Sequence, residues 1–282
     1  MGLEIVVTKE KYDILSKSIN NMMVLLKEIS CNSKNANINE KYKIALLEIT
    51  IRIFPNLKAI DTLLFEYFNN NYKGLHLSIG LIMRCCLEDI ILGTYLLTFK
   101  KELSMINTEI DVKSLQFFKS YINFIVEKEP EFYTLEEEKV NEIKKENLNT
   151  IKNLMNKFPV FYEGDKLTNI TNIRRKNVNS KKYFNEKTIG EINMYEMYSR
   201  IKENDFKFSY IYFLYKFYCL FEHYTYYPRN IIELNPDSFG KLVVSYEFIC
   251  RGLQKIIPFV TDSNEYDSKL SKINKNLKKM SE

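Results

Sequence analysis

Apolar residues recur along most of the chain at alternating spacings of three and four, the period of one face of an α-helix. Tyr12, Leu15, Ile19, Met22, Leu26 and Ile29 form the first such stripe, preceded by Thr8 as an N-cap and ended by the polar run Ser30 to Asn35. Asn37 and Glu40 have capping-box spacing and open a second stripe of Ile44, Leu47 and Ile51. Pro55 predicts a kink or break there, and Leu57, Ile60, Leu64 and Phe68 resume the period as far as Asn69-Asn70-Asn71.

Gly74 then leads into Leu77–Phe99, LSIGLIMRCCLEDIILGTYLLTF, which is apolar on nearly every side. A helix of that kind is normally buried, so this stretch is expected to be the centre around which the others pack. Residues 111–128 predict an amphipathic helix through Val112, Leu115, Phe118, Ile122 and Ile125, closed by Pro130. Thr134 and Glu137 cap a further helix, to about Phe158, so rich in Glu, Lys and Asn that it should face solvent.

Further helices follow at about 190–203 (Ile192, Tyr195, Met197, Tyr198) and at about 206–227, the second strongly apolar one. Another spans Phe239 to about Ile257, with Leu242, Tyr246, Ile249, Leu253 and Ile256 on one side. The tail, residues 261–282, carries Leu270, Ile273, Leu277 and Met280 among lysines, a stripe expected to dock on the body.

The fold class is therefore all-α: a single multi-helix bundle around the buried helix at about 77–99, spanning residues 1–260, with a tail helix. Between Pro159 and Thr188 the period is lost. A long structureless stretch is either disordered, a mobile lid or a contact loop, and the basic cluster of Arg174, Arg175, Lys176, Lys181 and Lys182 there leaves contact with an anion or nucleic acid open.

Composition narrows the picture. With 282 residues, 45% of them hydrophobic, the chain can bury a large core. Eight Gly and six Pro are too few for an all-β fold with many tight turns. The formal charge of +5 is mild and not gathered on one helix, as drift in a Lys- and Asn-rich composition would produce. Five scattered cysteines without a C-x-x-C pair read as buried reduced thiols, and all but Cys31 fall in apolar helical stretches. Two histidines give no metal-ligand spacing, so no metal and no cofactor is expected.

The N-terminal residues lack the pattern of a signal peptide. Residues 77–99 are long enough to cross a bilayer, but three ionisable side chains at their middle would each cost at least about 2.5 kcal/mol there. A cytoplasmic protein without a membrane span is expected.

Those three side chains, Arg84, Glu88 and Asp89, are the chief candidate chemistry. Buried charges need partners. Arg84 and Glu88 are one turn apart on one face, whereas Asp89 points elsewhere. On the 206–227 helix, Lys216, Leu220, His223 and Tyr227 share one side and Tyr215, Tyr218 and Glu222 an adjoining one. The two helices are expected to pack and bring Arg84, Glu88, Glu222 and His223 into one polar cluster. Such a cluster is either a register-fixing ion network or a pocket for a small anionic or phosphate-bearing ligand or a protein partner. Cys219, one turn before His223, reads as an inert thiol and His76 as a capping or surface residue. P-loop, G-x-G-x-x-G, G-x-S-x-G and H-E-x-x-H patterns are absent.

IMRCCLEDIILGTYLL resembles the R-x-x-x-E helix of uncharacterised all-helical bacterial proteins, and FYCLFEHYTYYP resembles their later His-bearing helix. The second segment is also similar to the HEPN families, whose signature is an Arg, four to six residues, then a His on a late helix. That resemblance implies a metal-independent ribonuclease of a bacterial toxin or anti-phage defence system, acting on RNA as a dimer. It would cast His223 as general acid or base, Lys216 as the phosphate holder and Arg84 as a stabiliser of the transition state. Lys216 stands where the family has Arg and lacks its bidentate fork.

Overall fold

The computed structural model describes residues 9–35, 38–70, 74–129, 137–164, 166–167, 192–222, 236–261 and 265–281. Among them are nine helices and one minimal hairpin. The helices are α1 (Lys9–Asn35), α2 (Lys41–Asn70), α3 (Leu75–Leu97), α4 (Leu103–Asn123), α5 (Glu137–Lys157), α6 (Met194–Asn204), α7 (Ile211–Cys219), α8 (Pro236–Ile256) and α9 (Glu265–Ser281). The fold is an all-α helical bundle. No helix among the described residues is long and apolar enough to cross a membrane.

By contact the chain separates into two compact units, one made of residues up to Lys101 with those from Met194 on, the other of Glu102–Asn193. The first unit includes both the central helix α3 and the tail helix α9. The boundaries of the two units fall at 101/102 and 193/194. The tail docks on the body as its stripe leads one to expect, α9 packing against α1 and α8.

The first unit is built around α3, which packs on α2, α6, α7 and α8. Thirteen of its 23 residues are buried, as all-round apolarity requires. Close approach of α8 depends on glycines: a Cβ at Gly252 would come within 2.3 Å of Ile90 Cγ2, and one at Gly93 within 2.5 Å of Ile256 Cδ1. At the far end of α3, Arg200 of α6 donates from Nε to Thr98 Oγ1 at 2.9 Å and lies over the Phe99 ring at 4.0 Å. A cation there also suits the negative end of the helix dipole.

The stripe expected on α1 is buried throughout. On α2 the buried face is Leu46, Ile49, Thr50 and Ile53, while Ile44 is exposed. The expected stripe of Ile44, Leu47 and Ile51 is therefore rotated from the real one, because α2 is clasped between α1 and α3. Of the kink or break expected at Pro55, a break does not occur. Pro55 is exposed, and the helix runs through it between the fully buried Ile53 and Leu57.

In the second unit, α4 ends in a π-helical turn, Phe124–Lys128, of the kind that leaves a carbonyl without its usual partner. Asn147 of α5 donates to the Ile125 carbonyl there at 2.7 Å and to Glu129 Oε2 at 3.0 Å. No residue of α5 is buried, as its charge pattern predicts. Phe118 of α4 gathers Phe158, Phe161 and Tyr162 around it. After a 3-10 turn, Pro159–Phe161, the antiparallel hairpin pairs Tyr162 with Leu167 and Glu163 with Lys166. The basic cluster 174–182 lies outside the described residues.

Candidate functional site

Arg84 and Glu88 stand one turn apart on the face of α3 that meets α7, and both are half-buried. From α7, Tyr215 and Cys219, also one turn apart, face them. The guanidinium carbon of Arg84 lies 5.7 Å from the Tyr215 ring centroid, and its group interacts with the Tyr215 hydroxyl, Cys219 and Glu88. Burial works against the Arg84 charge, but these neighbours outweigh it and hold its pKa above the ordinary value. The same seam pushes the Tyr215 hydroxyl up to about 12, first through burial and then through the Cys219 thiol, with Arg84 pulling the other way.

Asp89 does point elsewhere. It accepts a hydrogen bond from Arg52 of α2 at 2.7 Å, its own side chain 15% exposed and that of Arg52 56% exposed. Burial raises the Asp89 carboxyl to about 6; Arg52 opposes this and Glu88 adds to it.

The helices expected to pack do so, α7 lying against α3. Beyond α7 a Cβ at Gly80 of α3 would overlap the Phe221 ring at 2.3 Å, so these two elements are in van der Waals contact. The composition of the cluster differs from expectation. Its described members are Arg84, Glu88, Tyr215 and Cys219. Glu222 is described only through its backbone, in the 3-10 turn Leu220–Glu222, and His223 lies outside the described residues. Lys216 is exposed.

Two further placements differ. His76 is buried, its ring edge-on to Phe221 with centroids 6.4 Å apart, and is not a surface residue. Cys85 is exposed although its stretch is apolar, because it sits on the outer edge of α3. Tyr215 was not singled out by sequence: within YIYFLYKFYCLF one tyrosine looks like another. The available signal was its i,i+4 spacing to Cys219, matching Arg84 to Glu88.

A second polar set is sealed in the core of the same unit. Burial pushes the Cys86 thiol far up, with Asp89 and Cys85 adding to it. The Tyr246 hydroxyl, wholly buried, is raised well above its ordinary value by burial and then by Cys86, Asp61 and Tyr218. These groups stay neutral, and neutral thiols and phenols are poor nucleophiles. Asp61 is raised by burial and accepts a hydrogen bond from Ser16 Oγ at 2.9 Å.

Among the described residues no three His, Cys, Asp or Glu side chains converge to hold a metal ion. The α3–α7 seam thus offers the Arg84 guanidinium, the Glu88 carboxyl, the Tyr215 hydroxyl and the Cys219 thiol. Its guanidinium supplies a charge that can hold an anion. No protein-family model, curated protein or solved structure matches the chain.

Proposed function

We propose that this chain is a cytosolic binding protein that takes a small anionic or phosphate-bearing ligand at the α3–α7 seam. The observation that carries this reading is the half-buried Arg84 guanidinium, held by Tyr215 and Glu88 and still reachable from solvent. A guanidinium is a planar, permanently charged fork of donors that suits a planar or tetrahedral anion. Glu88 balances its charge while the site is empty. With its pKa raised to about 12, the Tyr215 hydroxyl holds its proton and serves as a hydrogen-bonding partner, not as a base. Five free thiols agree with a reducing compartment.

Calorimetric titration with inorganic phosphate and with pyrophosphate tests it. Wild type is expected to bind at least one of them, and Arg84→Gln to lose most of that affinity, at least about tenfold, as the loss of a charge-assisted hydrogen bond implies. Arg84→Lys should fall between. Equal titrations for wild type and Arg84→Gln, or no heat in either, would discard the reading.

A further inference from the structure

The helix read from sequence as simply apolar leaves one side uncovered. On α7, Ile211, Leu214, Tyr215 and Tyr218 are buried, while Phe213 and, in the turn just after the helix, Leu220 are more than half exposed and Lys216 is exposed. Three-and-four spacing puts Tyr212, Phe213 and Lys216 together on that open side. Facing them, α6 presents Tyr195, Tyr198 and Lys202 at spacings of three and four.

The rings form a continuous array. Tyr198 and Tyr212 stack with centroids 4.5 Å apart at 22°. Tyr195 meets Tyr212 at 6.5 Å and Phe213 meets Tyr198 at 5.9 Å and Tyr210 at 5.8 Å. Tyr195 is 64%, Phe206 70%, Tyr210 52% and Phe213 53% exposed, so the array keeps open ring surface. Exposed aromatic surface gathered in this way marks an interaction site.

The charge beside it indicates the occupant. Lys202 lies 5.8 Å from the Tyr198 ring and 5.7 Å from that of Phe206, and Lys207 and Lys216 are exposed. Among the acidic groups of the same stretch, Asp205 is tied to Lys255 at 2.5 Å and to the Phe208 amide. Glu196 and Glu203 sit on another side of α6 from its tyrosines. Open rings with lysines at their margins are what an unpaired nucleic-acid strand requires, the bases stacking and the phosphates meeting the cations.

We infer that the α6–α7 face binds single-stranded nucleic acid without strict sequence preference. This goes beyond the anion site and does not rest on it. RNA and DNA strands share the chemistry, and separate arms of the test distinguish them.

The test is fluorescence anisotropy with labelled (U)12 RNA, (dT)12 DNA and a 12-base-pair duplex, at low and at moderate salt. Wild type should bind at least one single strand, more weakly as salt rises, and the duplex at least tenfold less tightly. Tyr195→Ala and Phe213→Ala, both at exposed positions, should each weaken strand binding about 5- to 100-fold. Lys216→Glu changes no ring and should weaken it with a reduced salt dependence. Phe213→Ala should titrate phosphate as wild type does, so that failure here and failure of the anion reading are told apart. Absence of strand binding, equal binding of duplex, or ring variants that bind as wild type would each overturn the inference. So would self-association of wild type that Phe213→Ala abolishes without any strand binding, since the face would then be a protein interface.

Discussion

Asp89 shows how a single buried side chain can set a pH response. Its carboxyl is raised to about 6 from 3.8, so between those values the folded chain binds more protons than the unfolded one. Stability from this group is therefore present at low pH and lost as pH rises through about 6. Asp89→Asn removes the titration. The stability of wild type relative to Asp89→Asn is expected to increase by up to about 3 kcal/mol as pH falls from 7 to 4. Urea denaturation of both proteins across that range measures it, and a difference that does not change with pH refutes the assignment. Arg84 and Glu88 were legible at this scale because charges within an all-round apolar helix violate the ordinary pattern. Their partner Tyr215 was not, because nothing in a run of aromatic residues marks the one that will face an arginine.

At the scale of elements, two glycines of α8 separate close packing from helix propensity. Gly252 lies against Ile90 of α3, whereas a Cβ at Gly240 meets nothing within 4 Å. Gly→Ala in an exposed or open helix position stabilises by about 0.5–1 kcal/mol, while forcing a methyl into a filled helix–helix contact costs about 1–3 kcal/mol. Gly240→Ala is thus expected to raise the thermal midpoint and Gly252→Ala to lower it. Two shifts of the same sign would show that α8 does not approach α3 as described. The α7 segment illustrates the limit of periodicity. Its apolar run predicts one helix of about 22 residues, but its described part is a nine-residue helix between 3-10 turns. Asp205 accepts from the Phe208 amide and fixes the first turn. A local side-chain bond of this kind leaves no trace in the hydrophobic pattern.

Across the first unit, α9 completes the core. Leu270, Ile273 and Leu277 are buried against α1 and α8. Asn32 donates to the Tyr266 hydroxyl at 2.8 Å, and Lys269 bridges Glu28 at 3.1 Å and Glu265 at 2.8 Å. Truncation after Val260 is expected to destabilise the chain by at least about 4 kcal/mol, since each buried aliphatic side chain contributes about 1.5–3 kcal/mol. Denaturant unfolding reads this directly, and unchanged stability would mean that the tail does not dock. The helical class, the central place of α3, the exposed course of α5 and the buried faces of α1, α8 and α9 all follow from the spacing of apolar residues. A stripe must be buried, and an all-round apolar helix must be surrounded. Which elements do the burying was decided by tertiary structure alone. It rotated the face of α2, carried that helix through Pro55, divided the chain at 101/102 and 193/194, and set Tyr215 against Arg84. Periodicity records how much surface each helix must hide, but a partner is chosen by shape and charge across long sequence separations, which no local pattern encodes.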